Sequence, residues 1–164
     1  MLATKYETKI GNDGLVVCEK IWSERINICV EKNQFRHPED IYKLCKALNF
    51  DSYSEEHVFL LIFDIKMHFK SFIEIGIGSN DRCVIDRRGI AQKVLMLNAG
   101  CFVIVHNHTS GDAAPSKEDI EISKAISELG KIIGIPLKDS IILGSDSIYS
   151  SMKEIGAILG GEFM

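Results

Sequence analysis

The sequence predicts an α/β (α+β) protein in which a mixed, mainly antiparallel sheet is flanked by helices. Three observations carry that expectation. A strong turn signal, Gly11-Asn12-Asp13-Gly14, separates two loosely alternating stretches near the start. Two short apolar runs, Val58 to Phe63 and Cys101 to Val105, have the length and composition of strands buried on both faces. Segments with helical spacing are interleaved with these strands rather than gathered in one block.

Taken in order, Lys5 to Ile10 and Leu15 to Ile21 form a β-hairpin around the glycine turn. His37-Pro38-Glu39-Asp40 opens a helix, with Pro38 in its first turn and acids near its positive end. Ile41, Leu44, Cys45 and Leu48 fall on one face of it. Asn49 to Ser54 is a polar break before the Val58–Phe63 strand. Phe69 to Ile77 alternates apolar and polar residues as a second strand, and Arg88 to Asn98 is helical by period. After the Cys101–Val105 strand, His106 to Pro115 reads as a loop. Ser116 is a good N-cap for a helix over Lys117 to Ile133, with Ile120, Ala125, Ile126 and Leu129 as its apolar stripe and Gly134 closing it. Ile141 to Gly144 and Ser147 to Ser150 close the sheet. Residues 1–35 form an N-terminal hairpin extension and residues 36–164 the main domain.

At 164 residues and 46% hydrophobic composition the chain is long enough for one domain with a proper core. A net charge of −4 argues against tight, non-specific nucleic-acid binding, which needs a basic face. The first residues are polar and lack the apolar stretch of a signal peptide, and neither apolar run is long enough to span a bilayer. No membrane partner is expected. Five dispersed cysteines, Cys18, Cys29, Cys45, Cys83 and Cys101, without a Cys-x-x-Cys pair, are expected to be reduced thiols in the cytoplasm. Cys101 opens an apolar strand and reads as a small core residue.

The chemistry concentrates between His106 and Asp119. His106 and His108 leave the end of a buried strand one residue apart, and alternate residues of an extended chain point the same way. Both imidazoles can therefore face one ion. Asp119 stands in the first turn of the following helix, where its carboxylate can reach back. Two nitrogens and one carboxylate leave a fourth zinc position open, the pattern of a catalytic site. A His-x-His pair alone more often means two solvent-facing loop histidines; the spacing to a capped Ser and Asp shifts that balance.

The run HNHTSGDAAPSKEDIE, followed by KIIGIPLKDSIILG, resembles the JAB/MPN (JAMM) metallohydrolases, whose signature is His-x-His, seven residues, then Ser-x-x-Asp. His106, His108, Ser116 and Asp119 match every spacing. More specifically it is similar to the RadC-like branch, with HNHPSGD and LDHIIIG stretches, over roughly His37 to Tyr149. The resemblance implies a cytidine-deaminase-like JAB/MPN fold, here in a short form without the branch's helix-hairpin-helix module. It implies Zn2+ held by His106, His108 and Asp119. It implies that Ser116 donates a hydrogen bond to the attacking water or the developing oxyanion. It further implies that Glu56, at the start of the central strand, is the general base that passes a proton to the leaving amine. Glu55 is its neighbour on the opposite face. The plainer reading of both acids is a solvated strand start.

The implied activity is zinc-dependent hydrolysis of an amide bond, as a metalloprotease or isopeptidase acting on a protein or peptide. Two alternatives stand beside it: a DNA-repair-associated protein acting with nucleic acid, and a non-catalytic MPN interaction domain. The chain departs from the family pattern in three places. Thr109 replaces a proline that would fix the loop backbone. Asp86-Arg87-Arg88-Gly89 stands where relatives show His-Pro-Arg-Glu, and Asp139-Ser140 stands where they show Asp-His. None of these is an expected zinc ligand. Of the remaining features, Gly76 to Asn80 lacks the Lys-Ser/Thr of a P-loop and reads as a turn. Arg82, Arg87 and Arg88 form a small basic cluster, either a solvated face or a contact for an acidic substrate. His57 and His68 read as structural, and Trp22 and Tyr53 as single aromatics without pattern. The resemblance to an HNH nuclease is verbal, since there the histidines and asparagine are not adjacent.

Overall fold

A computed structural model describes residues 1–78, 86–145 and 147–159 of the chain. Among them, β1 (Leu2–Ile10) and β2 (Val16–Arg25) form the expected hairpin, and α1 (Pro38–Ala47) follows. Then come β3 (Glu56–Phe63), β4 (Phe69–Gly78), α2 (Arg87–Met96), β5 (Cys101–Asn107), α3 (Lys117–Ile133), β6 (Leu137–Leu143) and β7 (Tyr149–Ser151). All seven strands join one sheet in the order β2-β1-β4-β3-β5-β6-β7. The β1–β2, β3–β4, β3–β5 and β6–β7 pairs are antiparallel, and β1–β4 and β5–β6 are parallel. The sheet is therefore mixed and mostly antiparallel, as the sequence predicts. No helix among the described residues is long and apolar enough to cross a membrane.

The period-2 alternation of the two central strands sorts side chains into two cores. Phe59, Leu61 and Phe63 of β3 and Cys101, Val103 and Val105 of β5 pack with Ile41, Leu44 and Cys45 of α1. Val58, Leu60 and Ile62, with Phe102 and Ile104, pack instead with Ile90 and Val94 of α2 and Ile126 of α3. Apolar burial on both faces is why these runs carry no polar alternation. Cys101 is a core residue, 1% exposed, and burial pushes its thiol up to about 11, away from thiolate chemistry. Cys83 and Arg82 lie outside the described residues, as do Ser79 and Asn80; Gly76 and Gly78 belong to β4.

Several elements differ from expectation. His106 and Asn107 belong to β5 rather than to the loop, because their backbone still pairs with Ile142 and Leu143 of β6. β6 begins at Leu137, four residues before the expected Ile141. Lys138, Asp139 and Ser140 hide its start from a hydropathy reading, yet all three are buried. Asp139 is tolerated there because Ser151 Oγ donates to it at 2.6 Å and the backbone N–H groups of Ser140 and Lys153 at 2.7 and 3.1 Å. The inner face of α3 is built from Ser123, Ile126, Ser127 and Gly130, with Ile120 and Leu129 only partly buried against the core and Ala125 half-buried. Small residues there let the helix approach the sheet closely.

The hairpin turn is closed by Gly14 N–H to Gly11 O at 3.0 Å, with Gly14 at φ 78°, a conformation glycine adopts without strain. Tyr6 pairs with Lys20 and Lys5 with Trp22, so Ile21 is an extra residue in β2, a β-bulge on the outermost strand. Trp22 anchors the hairpin by packing edge-on against Phe72, with ring centroids 5.5 Å apart.

Candidate metal centre

The alternation that sorts the cores also places the candidate ligands. His106 continues the even-numbered face of β5, the face covered by α2 and α3, and His108 follows two residues later. β5 ends at Asn107, but His108 N–H donates to Leu143 O at 2.9 Å, so its backbone stays tied to β6. The loop then turns through Gly111, which has φ 82° and accepts from Ser145 N–H at 2.9 Å. Asp112 Oδ1 accepts from Ala114 N–H at 2.9 Å. Thr109, at the position where relatives carry proline, is exposed on this loop.

α3 starts with a reciprocal cap. Ser116 Oγ accepts from Asp119 N–H at 3.1 Å, and Asp119 Oδ2 accepts from Ser116 N–H at 2.8 Å. The Ser116 hydroxyl donates to the same Oδ2 at 2.6 Å. The cap thereby holds one oxygen of Asp119 and turns the other, Oδ1, toward His106.

Three side chains converge. The two Nε2 atoms of His106 and His108 lie 3.1 Å apart. Asp119 Oδ1 is 3.3 Å from His106 Nε2, and Oδ2 is 3.6 Å from His108 Nε2. Ligands placed about 2.0–2.1 Å from a tetrahedral ion are separated from one another by about 3.3 Å. The separations of 3.1, 3.3 and 3.6 Å are close to that length, the two carboxylate oxygens each facing one histidine, and two imidazoles with one carboxylate are a donor set that fits a divalent ion. The side chains are only 11%, 16% and 18% exposed, so the candidate ligands are largely covered. Among the described residues this is the group of His, Cys, Asp and Glu side chains able to hold a metal.

The electrostatics agree with that use. Burial alone would raise the Asp119 carboxyl, but hydrogen bonds from His106, His108 and Ser116 outweigh it and hold the group well below the ordinary carboxylate range. His108 is raised, first by its bond to Asp119, against desolvation, with help from the Asp112 carbonyl and the charges of Asp119 and Glu56. His108 Nδ1 lies 2.8 Å from Asp112 O, a bond that places the proton on Nδ1 and leaves the Nε2 lone pair for a metal. Nothing in sequence spacing marks the Asp112 carbonyl, since any residue there supplies one.

Glu56 opens β3 on the same face as Val58. Because Val58 pairs with His106 in an antiparallel ladder, Glu56 stands level with His108, and its charge acts on that imidazole. His57, one residue on, faces the other way: it is buried, packs against Tyr53 in a tilted ring contact with centroids 4.0 Å apart, and bonds through Nδ1 to Glu74. The expectation that His57 is structural fits this setting. His68 pairs likewise with Asp64, away from the centre, at 2.8 Å.

One buried polar residue joins these parts. Asn107, between the two histidines, is 3% exposed. Its Oδ1 accepts from His57 N–H at 2.7 Å, and its Nδ2 donates to Glu55 O at 2.9 Å. Sequence reasoning passed over it, although a polar residue inside an apolar strand must find partners somewhere.

Comparison with known proteins gives a consistent result. The family model of the RadC-like JAB domain matches residues 35–157. A UPF0758 protein of Geobacter sulfurreducens is 33% identical over 144 residues, covering 88% of this chain and 61% of that protein. One from Methanococcoides burtonii is 35% identical over 127 residues, 77% of this chain and 55% of the relative. A third, from Clostridium botulinum, is 40% identical over 104 residues, 63% and 45% respectively. The chain thus spans about half the length of the curated relatives it matches.

Proposed function

Since the chain belongs to the family of RadC-like JAB domains, we propose that it is a zinc-dependent hydrolase that cleaves an amide bond in a protein or peptide. The observation that carries this reading is the convergence of His106, His108 and Asp119, whose ring nitrogens and carboxylate oxygens approach one another at 3.1, 3.3 and 3.6 Å. Two imidazoles and one carboxylate suit zinc, and three protein ligands rather than four suit catalysis.

A bound zinc supplies Lewis acidity there, bringing water into its nucleophilic form near neutral pH and polarising a carbonyl. The protein's own groups do the rest. Glu56 accepts the proton of the attacking water and returns it to the leaving nitrogen, from a strand start level with His108. The Asp112 carbonyl fixes the tautomer of His108. Ser116 holds Asp119 with its hydroxyl proton, so that one carboxylate oxygen stays directed at the histidines. In this geometry its hydroxyl serves the ligand first, and donation to an oxyanion requires it to turn away from Asp119. The substrate enters from the solvent side of the ligand group. Nucleic acid is the less favoured partner, given the acidic sequence pI near 5.7.

Metal analysis of the purified protein tests the reading. About one zinc per chain is expected, retained in Glu56→Gln and lost in His106→Ala and Asp119→Ala. Glu56→Gln loaded with zinc should then retain a peptide or protein in a pull-down that the wild type releases. Failure to bind zinc, or equal binding by His106→Ala, refutes the proposal. Oligonucleotide binding with a steep salt dependence would move the assignment to the nucleic-acid alternative.

A further inference from the structure

The backbone ladder between β3 and β5 runs from Phe63–Cys101 to Val58–His106. Beyond that last pair the Asn107 side chain takes over. Its carboxamide carries one acceptor and one donor arranged as in a peptide group, and it makes the two bonds a neighbouring strand would make. Those bonds go to Glu55 O and His57 N–H, the backbone groups on either side of Glu56. In an extended strand these two groups point to the same side, and they bracket the residue between them.

From this we infer that Asn107 is a positioning residue: it couples the strand that carries both histidines to the backbone that carries Glu56, and so sets the distance between the proposed base and the proposed metal. This inference rests on the metal-hydrolase reading above. The argument is geometric. Asn107 sits between His106 and His108 in sequence, so any shift of the ligand strand moves its carboxamide with it. Its two bonds are to backbone rather than side chain, so they fix the path of the chain at Glu56 whatever rotamer Glu56 adopts. Asn107 itself is only 3% exposed, and its bond to the His57 amide is buried, where it is stronger than in water. Aspartate or serine at this position would not reproduce them. Aspartate has no amide donor for Glu55 O, and serine is one bond too short to reach both groups.

Cobalt(II) substituted for zinc provides a ruler, because its paramagnetic shifts fall steeply with distance. In the wild-type protein, Co2+ should shift the resonances of His106, His108 and the Glu56 side chain strongly. In Asn107→Ala and in the milder Asn107→Asp, the histidine shifts should persist and cobalt stoichiometry should stay unchanged. The Glu56 shift should collapse toward its metal-free value. In Asn107→Ala, exchange of the His57 amide with solvent should quicken by about tenfold, as expected for loss of one buried hydrogen bond. Asn107→Asp keeps the acceptor for that amide, so exchange should stay slow there while the Glu56 shift still changes. Resonances of Leu60 and Leu61 report whether β3 remains folded in each variant. An unchanged Glu56 shift in both folded variants overturns the inference. Absence of any cobalt-dependent shift in the wild type overturns the metal-hydrolase reading itself, which makes the two failures distinguishable.

Discussion

Ser116 serves two purposes with one hydroxyl, capping α3 and restraining Asp119. Ser116→Ala should therefore lose about 1 kcal/mol of stability from the missing cap. It should also weaken zinc binding by about tenfold or more, because the carboxylate loses its outer partner. Denaturant titration and zinc competition against a chelator measure the two effects separately. His108 adds a pH dependence. Its raised pKa means that the metal-free protein keeps a proton on this imidazole to higher pH than a free histidine does. That protonated pair with Asp119 stabilises the metal-free fold fully below the ordinary imidazole range, and the contribution is lost as pH rises through the raised value. Metal needs the neutral imidazole. The gain in Tm on adding zinc should accordingly grow as pH rises through the neutral range, and a gain independent of pH would contradict the assignment. At this scale the sequence was informative for the candidate ligands, in that it places His106 and His108 on one face by simple alternation and the structure brings both beside Asp119. It was silent on Asn107, whose partners lie 50 and 52 positions away in the chain.

The elements were legible where a local chemical signal marks their ends. The bounds of α3 agree with the sequence reading because Ser116 caps one end and Gly134, at φ 71°, ends the other. The start of β6 was hidden because its buried Asp139 draws two of its three partners from β7 and the turn after it, which hydropathy cannot see. The apolar stripe of α3 was partly misjudged for a related reason: hydropathy looks for large residues, whereas this helix packs through small ones. Gly130 shows the consequence. A Cβ there would lie 2.7 Å from Ile135 O and 2.9 Å from Leu137 N, both backbone atoms that cannot swing aside. Gly130→Ala should thus destabilise the protein by about 1–3 kcal/mol, although alanine is the better helix former. Chemical denaturation reads the sign directly; a stabilised variant would show that α3 has room to lift from β6.

For the whole molecule, the fold class followed from two apolar runs too short for anything but central strands and from helices interleaved between them. The family match then covers residues 35–157, and β1 and β2 add to the same sheet ahead of it. That addition moves the outer boundary of the sheet to β2, a ten-residue strand carrying Glu19, Lys20, Glu24 and Arg25 and interrupted by the extra residue Ile21. Long, flat strands at such a boundary invite other chains to pair with them, and charges and bulges discourage it. Deleting Ile21 would leave every existing partner of β1 in place while straightening β2. We expect that variant to fold with unchanged zinc content yet to self-associate on concentration, as seen by light scattering. One surplus isoleucine, remote from the chemistry, would then be what keeps the protein in solution.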